Sequence, residues 1–157
     1  MYRKAEDFLA DWEMNAKGTL HVMQAITEDK KNVAIVEGHN SLEWLAWHLV
    51  SVAGAFGHFA GLQIPAPGPD MPTPQTMEEI TGMYEAVINA YKKEVEKLTD
   101  EQMEEEVEGF GGMMQRGKLL SKLIEHQTHH RGQMTVLLRQ AGLKVPPVMG
   151  PTAEMQN

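Results

Sequence analysis

The stretch that decides the fold is Thr76-Met77-Glu78-Glu79-Ile80-Thr81-Gly82-Met83-Tyr84-Glu85-Ala86-Val87-Ile88-Asn89-Ala90-Tyr91-Lys92-Lys93-Glu94-Val95-Glu96-Lys97-Leu98. Met77, Ile80, Met83, Tyr84, Val87, Ile88, Tyr91, Val95 and Leu98 recur at steps of three and four, the period of a helix with one buried face. Thr76 and Glu79 have the spacing of a capping box, in which each side chain satisfies the other's backbone N–H. A helix begins here and shows the core one apolar stripe.

Working outward, three further segments carry the same period. The first runs from about Tyr2 to Thr27, with Phe8, Leu9, Trp12, Ala16, Leu20, Met23 and Ile26 on one stripe. The second begins near Ser41 and ends around Gly61, before the loop Pro65-Ala66-Pro67-Gly68-Pro69. Asn40 or Ser41 can cap it, and Glu43 stands three after Asn40. The last runs from about Lys118 to Ala141, with Gly142 placed as its stop and Pro146-Pro147 beyond. Between the third and last helices, Thr99 to Glu108 reads as a short helical turn and Gly109-Phe110-Gly111-Gly112 as a loop. No segment has strong strand alternation. Four helices with one stripe each are best buried against one another, so the expected fold is all-α, a four-helix bundle forming one domain over residues 1–157. Trp12, Leu45, Phe56, Ile80, Val87, Leu123 and Leu137 are its expected core. Long connections leave the topology open.

Composition narrows the function. The 157 residues carry a formal net charge of −8. Phosphate binding needs clustered Lys and Arg, so the balance argues against nucleic acid and against anionic membrane surfaces. The absence of cysteine excludes disulfides, a thiolate metal site and a Cys nucleophile. No apolar run spans a bilayer, and Met1-Tyr2-Arg3-Lys4-Ala5-Glu6-Asp7 has no apolar signal core, so the expected compartment is the cytoplasm. The 12 methionines are scattered apart from Met113-Met114, which suits gap-filling in a core better than a copper cluster.

Helix phase sorts the 7 histidines. At about 100° per residue from Leu119, the apolar residues of the last helix span about 0° to 140°. His130 falls at about 20° and His126 at about 340°, on or beside that face, whereas His129 falls at about 280°. His126 and His130 therefore form an i, i+4 pair able to converge on one ion. In the second helix, counted from Leu42, the apolar centre is near 320°; His48 lies on its flank at about 240° and His58 opposite at about 160°. His21 faces away from its stripe and His39 is in a loop. Phase selects His48, His126 and His130.

The segments Ser41-Leu42-Glu43-Trp44-Leu45-Ala46-Trp47-His48-Leu49 and Glu125-His126-Gln127-Thr128-His129-His130-Arg131-Gly132-Gln133, with Leu138-Arg139-Gln140-Ala141-Gly142 and Pro146-Pro147, resemble the DinB-like family. These are metal-dependent enzymes related to bacterial thiol transferases such as bacillithiol and mycothiol transferases. The resemblance follows nearly the whole chain in helix order and length; its specific part is one His in the second helix and H-x-x-x-H-R-G-Q in the last. It implies a four-helix bundle, a homodimer, and a metal site with His48, His126 and His130 as ligands. It also implies a low-molecular-weight thiol as co-substrate and a small electrophilic molecule as substrate.

Three neutral imidazoles leave a coordination position open, the pattern of a catalytic rather than a closed structural site. Zinc and nickel both suit them. A thiol activated there gives transfer and an activated water gives hydrolysis; a non-catalytic metal-binding bundle is the remaining alternative. Glu125, near 240°, reads as a solvated charge rather than a general base. Gln133, near 320°, is placed to contact a ligand imidazole. Arg131 reads as a surface residue, with a substrate carboxylate as its alternative partner. The basic residues from Arg116 to Lys144 read as a balance for the acidic 94–108 stretch.

Overall fold

The structure, a computed structural model, describes residues 1–68 and 70–156. Its long helices are α1 (Ala5–Gln24), α2 (Leu42–Phe59), α3 (Met77–Val95) and α5 (Arg116–Gln140), with a short α4 (Asp100–Glu104) before the last. The four long helices begin and end within a few residues of the expected limits. Thr76 and Glu79 make the expected capping box on α3. Ser41, not Asn40, caps α2 by accepting from the Trp44 N–H; Glu43 turns instead to Lys31 Nζ at 2.8 Å.

α1 packs against α3 and α5, and α2 packs against the same pair. Helices consecutive in sequence, α1 and α2, therefore lie across the bundle diagonal, and so do α3 and α5. Both diagonal crossings use long connections, residues 25–41 and 96–115. The core is the shared interior of the stripes, and Trp12, Leu45, Phe56, Ile80, Val87, Leu123 and Leu137 are all buried. Met23, Met77, Met103 and Met134 are buried among them as gap-fillers.

The connection before α5 corrects the expectation. Helix covers only Asp100–Glu104, and the chain then forms an antiparallel hairpin, β1 (Glu106–Gly109) with β2 (Gly112–Gln115). The turn is made by Phe110 and Gly111, and the positive φ of Gly111 (97°) suits glycine. The hairpin lays Phe110 on Phe56 and Phe59, with ring centroids 4.7 and 4.8 Å apart. Arg116 opens α5 and ties this region down: it donates to the carbonyls of Ala60 and Gln102 and pairs with Glu105. That is the one ion pair among the described residues between the basic 116–144 stretch and the acidic 94–108 stretch; Arg139 pairs with Glu154 instead. Gly117 beside it lets the N-terminal chain approach; a Cβ there would lie 1.7 Å from the Tyr2 carbonyl oxygen.

Two buried polar side chains were not expected. Arg131 is 3% exposed, so it is not a surface residue. Its guanidinium donates to the carbonyl and side-chain oxygens of Asn15 and to Thr19 Oγ1, tying α5 to α1. Gln127 is fully buried: it accepts from the Tyr84 hydroxyl at 2.8 Å and donates to the Leu49 carbonyl at 3.2 Å. It thereby joins α5 to both α3 and α2. Burial raises the Tyr84 phenol well above its ordinary value, which keeps it a proton donor to Gln127.

Candidate metal centre

The Gln127 bridge fixes the site's geometry. It runs to the carbonyl of Leu49, the residue after His48, from the residue after His126. The two imidazoles are thus brought across the α2–α5 seam by a contact in the core beneath them. His48 Nε2 and His126 Nε2 lie 3.3 Å apart. His130, one turn along α5, completes the group, with ring centroids 4.7 Å from His48 and 4.5 Å from His126. Each of the three offers one nitrogen, and these lie within 4.8 Å of one another. His21, His39, His58 and His129 are exposed and stand outside this cluster.

The flanking groups settle orientation. Trp44 stacks on His48 one turn earlier, with centroids 4.7 Å apart and planes 12° apart. Gln133 Oε1 lies 2.8 Å from His130 Nδ1, so that nitrogen carries the proton and the Nε2 lone pair is free. The Gln133 amide nitrogen is in turn 3.3 Å from His129 Nε2. Gln133 therefore fulfils the expected contact, and His129 meets the cluster from outside, through Gln133 and by the edge of its ring against His130, with centroids 4.8 Å apart. Glu125 is exposed, as a solvated charge should be.

The donors fit a divalent ion. Metal–nitrogen bonds of about 2.0–2.1 Å place neighbouring nitrogens of a tetrahedral zinc site about 3.3 Å apart, the separation of the two Nε2 atoms. His126 Nδ1 is buried with no hydrogen-bond partner, so burial of this ring has no compensation from that side. Burial and the neighbouring imidazoles lower His126 from 6.5 to about 4, and burial lowers His48 as well. At neutral pH both are uncharged, as ligands must be.

The sequence model of the DinB family matches residues 1–157. The chain belongs to the DinB family. It is 36% identical over 155 residues to the protein YrdA of Bacillus subtilis (strain 168), covering 98% of this chain and 93% of that one. A DinB-like protein of Bacillus cereus ATCC 10987 superposes with a TM-score of 0.88 at 35% identity, covering 94% of this chain and 99% of that one. A DinB-like protein of B. subtilis, YjoA, shares the fold at TM-score 0.73 and 21% identity, covering 93% of this chain and 99% of that one. No helix among the described residues is long and apolar enough to cross a membrane. This DinB-family chain thus has a helical bundle and a three-histidine cluster that could hold a metal ion.

Two predictions arise here. Gln133→Ala frees the His130 ring, so zinc affinity should fall roughly 10–100-fold, the usual effect of losing a group that orients a ligand; equal affinities in a chelator competition would contradict this. The second concerns pH. His126 has a folded pKa of about 4 against 6.5 in the unfolded chain. In that window the unfolded state binds more protons, so stability rises with pH. The His126 contribution is fully present above pH 6.5 and is lost as pH falls towards 4. Urea midpoints of the metal-free protein should fall through this range more steeply than those of His126→Asn. Parallel profiles would show that burial of this imidazole does not drive the loss.

Proposed function

We propose that this DinB-family chain is a metal-dependent enzyme in which His48, His126 and His130 hold one divalent ion, zinc or nickel. In this reading a low-molecular-weight thiol is transferred to a small electrophilic substrate. The observation that carries the reading is the convergence of three imidazoles at a partly exposed point of the α2–α5 seam. A divalent ion bound there supplies Lewis acidity, which lowers the pKa of a neighbouring thiol or water. The chain's own residues hold His126 and His48 neutral by burial, aim His130 through Gln133 and brace His48 with Trp44. In the transfer the sulfur–carbon bond forms and the bond from carbon to its leaving group breaks. The leaving group departs with the bonding pair, and the thiol proton passes to solvent.

Two observations favour transfer over hydrolysis and over a purely structural site. No carboxylate joins the ligand group among the described residues; Glu125 lines the cavity beside His126 but is exposed and stands outside that group. Three protein ligands with an open side match catalytic sites, whereas structural zinc sites are closed by four. The test is a screen of zinc- and nickel-loaded protein with monochlorobimane and a panel of cellular thiols. A thioether adduct formed above the uncatalysed rate, and lost in His130→Ala, is the expected result. No enhancement with any thiol and either metal contradicts the reading. The reading includes a homodimer in the cytoplasm; light scattering at micromolar concentration should give twice the chain mass, and a monomer would count against it.

A further inference from the structure

Two cavities lie along the seam of α2 and α5, one on each side of the histidine cluster. The first, of about 320 Å³, is lined by Leu45 of α2, by Gln133, Val136 and Leu137 of α5, and by Asn40 of the preceding loop. The second, of about 570 Å³, is lined by Val52 and Phe56 of α2, by Lys122, Glu125, His126 and His129 of α5, and by Phe110 of the hairpin. Residue order shows what separates them. On α2, His48 stands between Leu45 and Val52. On α5, His126 borders the second cavity and His130, through Gln133, borders the first. The cluster is the partition of one groove.

The linings differ in kind. Val52, Phe56 and Phe110 make the second cavity an apolar and aromatic wall, and Phe110 is held there by its rings' contact with Phe56 and Phe59. Lys122 and Glu125 both stand at this cavity, and Lys122 forms no ion pair among the described residues, so its ammonium is open to an anionic group on the side away from Glu125. The first cavity sets the Asn40 amide and the His39 imidazole, with the Gln133 amide already engaged by His130 and His129, among aliphatic side chains, offering donors and acceptors to a small polar molecule.

We propose that the groove is a two-compartment site. The compartment under Phe110 takes an electrophile with an aromatic or apolar body and an anionic group directed to Lys122. The compartment beside Gln133 takes the thiol, and the two meet at the histidines. The occupants assigned rest on the thiol-transfer reading above, while the division of the groove does not. The hairpin, which packs Phe110 onto α2, thereby becomes a specificity element.

Amide chemical shifts of the zinc-loaded protein test this without turnover. Naphthalene-1-acetate should shift the amides of Phe56, Phe110 and Lys122 and spare Val136 and Leu137. N-acetyl-L-cysteine should shift Asn40, Gln133 and Val136 instead. Phe110 is at the exposed hairpin tip, so Phe110→Ala should fold; it should weaken naphthalene-1-acetate about tenfold and leave the thiol unchanged. Val136→Glu should do the reverse. Shifts by both probes at one set of residues, equal weakening of both by Phe110→Ala, or no binding of either overturns the proposal. Separate binding without thiol transfer to any electrophile would keep the two compartments and overturn the transfer reading. Transfer with overlapping probe sites would do the opposite.

Discussion

Replacing His130 with alanine is expected to weaken zinc or nickel binding by about a hundredfold or more, because it removes a donor where losing a mere orienting group costs roughly 10–100-fold. Replacing its neighbour His129 should cost less than about tenfold, since that ring offers no nitrogen to the group and only flanks it, through Gln133 and against the His130 ring. The contrast is directional. His130 and His126 lie one turn apart with centroids separated by 4.5 Å, whereas His129 faces solvent. Both variants should keep the helical circular dichroism of the parent, because the bundle is held by apolar packing. His130→Ala should lose only the stabilisation that bound metal adds by mass action. Competition against a fluorescent chelator measures both affinities. A His129 variant that loses the metal beside a His130 variant that retains it would contradict the assignment.

The largest stability change is expected at Arg131. Its truncation to alanine removes three hydrogen bonds to Asn15 and Thr19, leaving the Asn15 oxygens only the hydroxyls of Thr19 and Thr128, and opens a cavity between α5 and α1. Lost hydrogen bonds and lost packing together suggest about 2–4 kcal/mol. For a chain of this length that lowers the melting temperature by roughly 5–15 °C. Arg131→Met keeps the apolar stem and removes a buried cation whose partners are all neutral, so it should cost less than alanine. Thermal unfolding of the metal-free variants decides the point. A change below about 0.5 kcal/mol, ordinary for a surface site, would return Arg131 to the surface role read from the sequence.

That misreading of Arg131 shows how far the sequence carries. The helices were legible because each has a long stripe, and Thr76 with Glu79 marks a start that needs no tertiary context. The phase that selected His126 and His130 also places Gln127 at about 80° and Arg131 at about 120°, inside the apolar arc. A polar residue in the middle of a buried stripe signals a hydrogen-bonded tie between helices, and both residues are such ties. The hairpin gave no comparable signal: its strands have four residues each, too few for alternation to stand out. Phase also reports the face of a helix but not the neighbour it meets. That α2 and α5 are adjacent, and that Gln127 draws His48 towards His126, is information held only in the packed structure. Trp44 is similar, since its stacking on His48 depends on a ring position that an exposed apolar residue does not announce.

The central claim is that His48, His126 and His130 hold one metal ion. Emission spectrometry of the untagged protein, dialysed against zinc or nickel and then against metal-free buffer, tests it most directly. The account predicts one ion retained per chain in the parent and none in His130→Ala at equal helicity. A folded parent holding no more metal than the final buffer would contradict it.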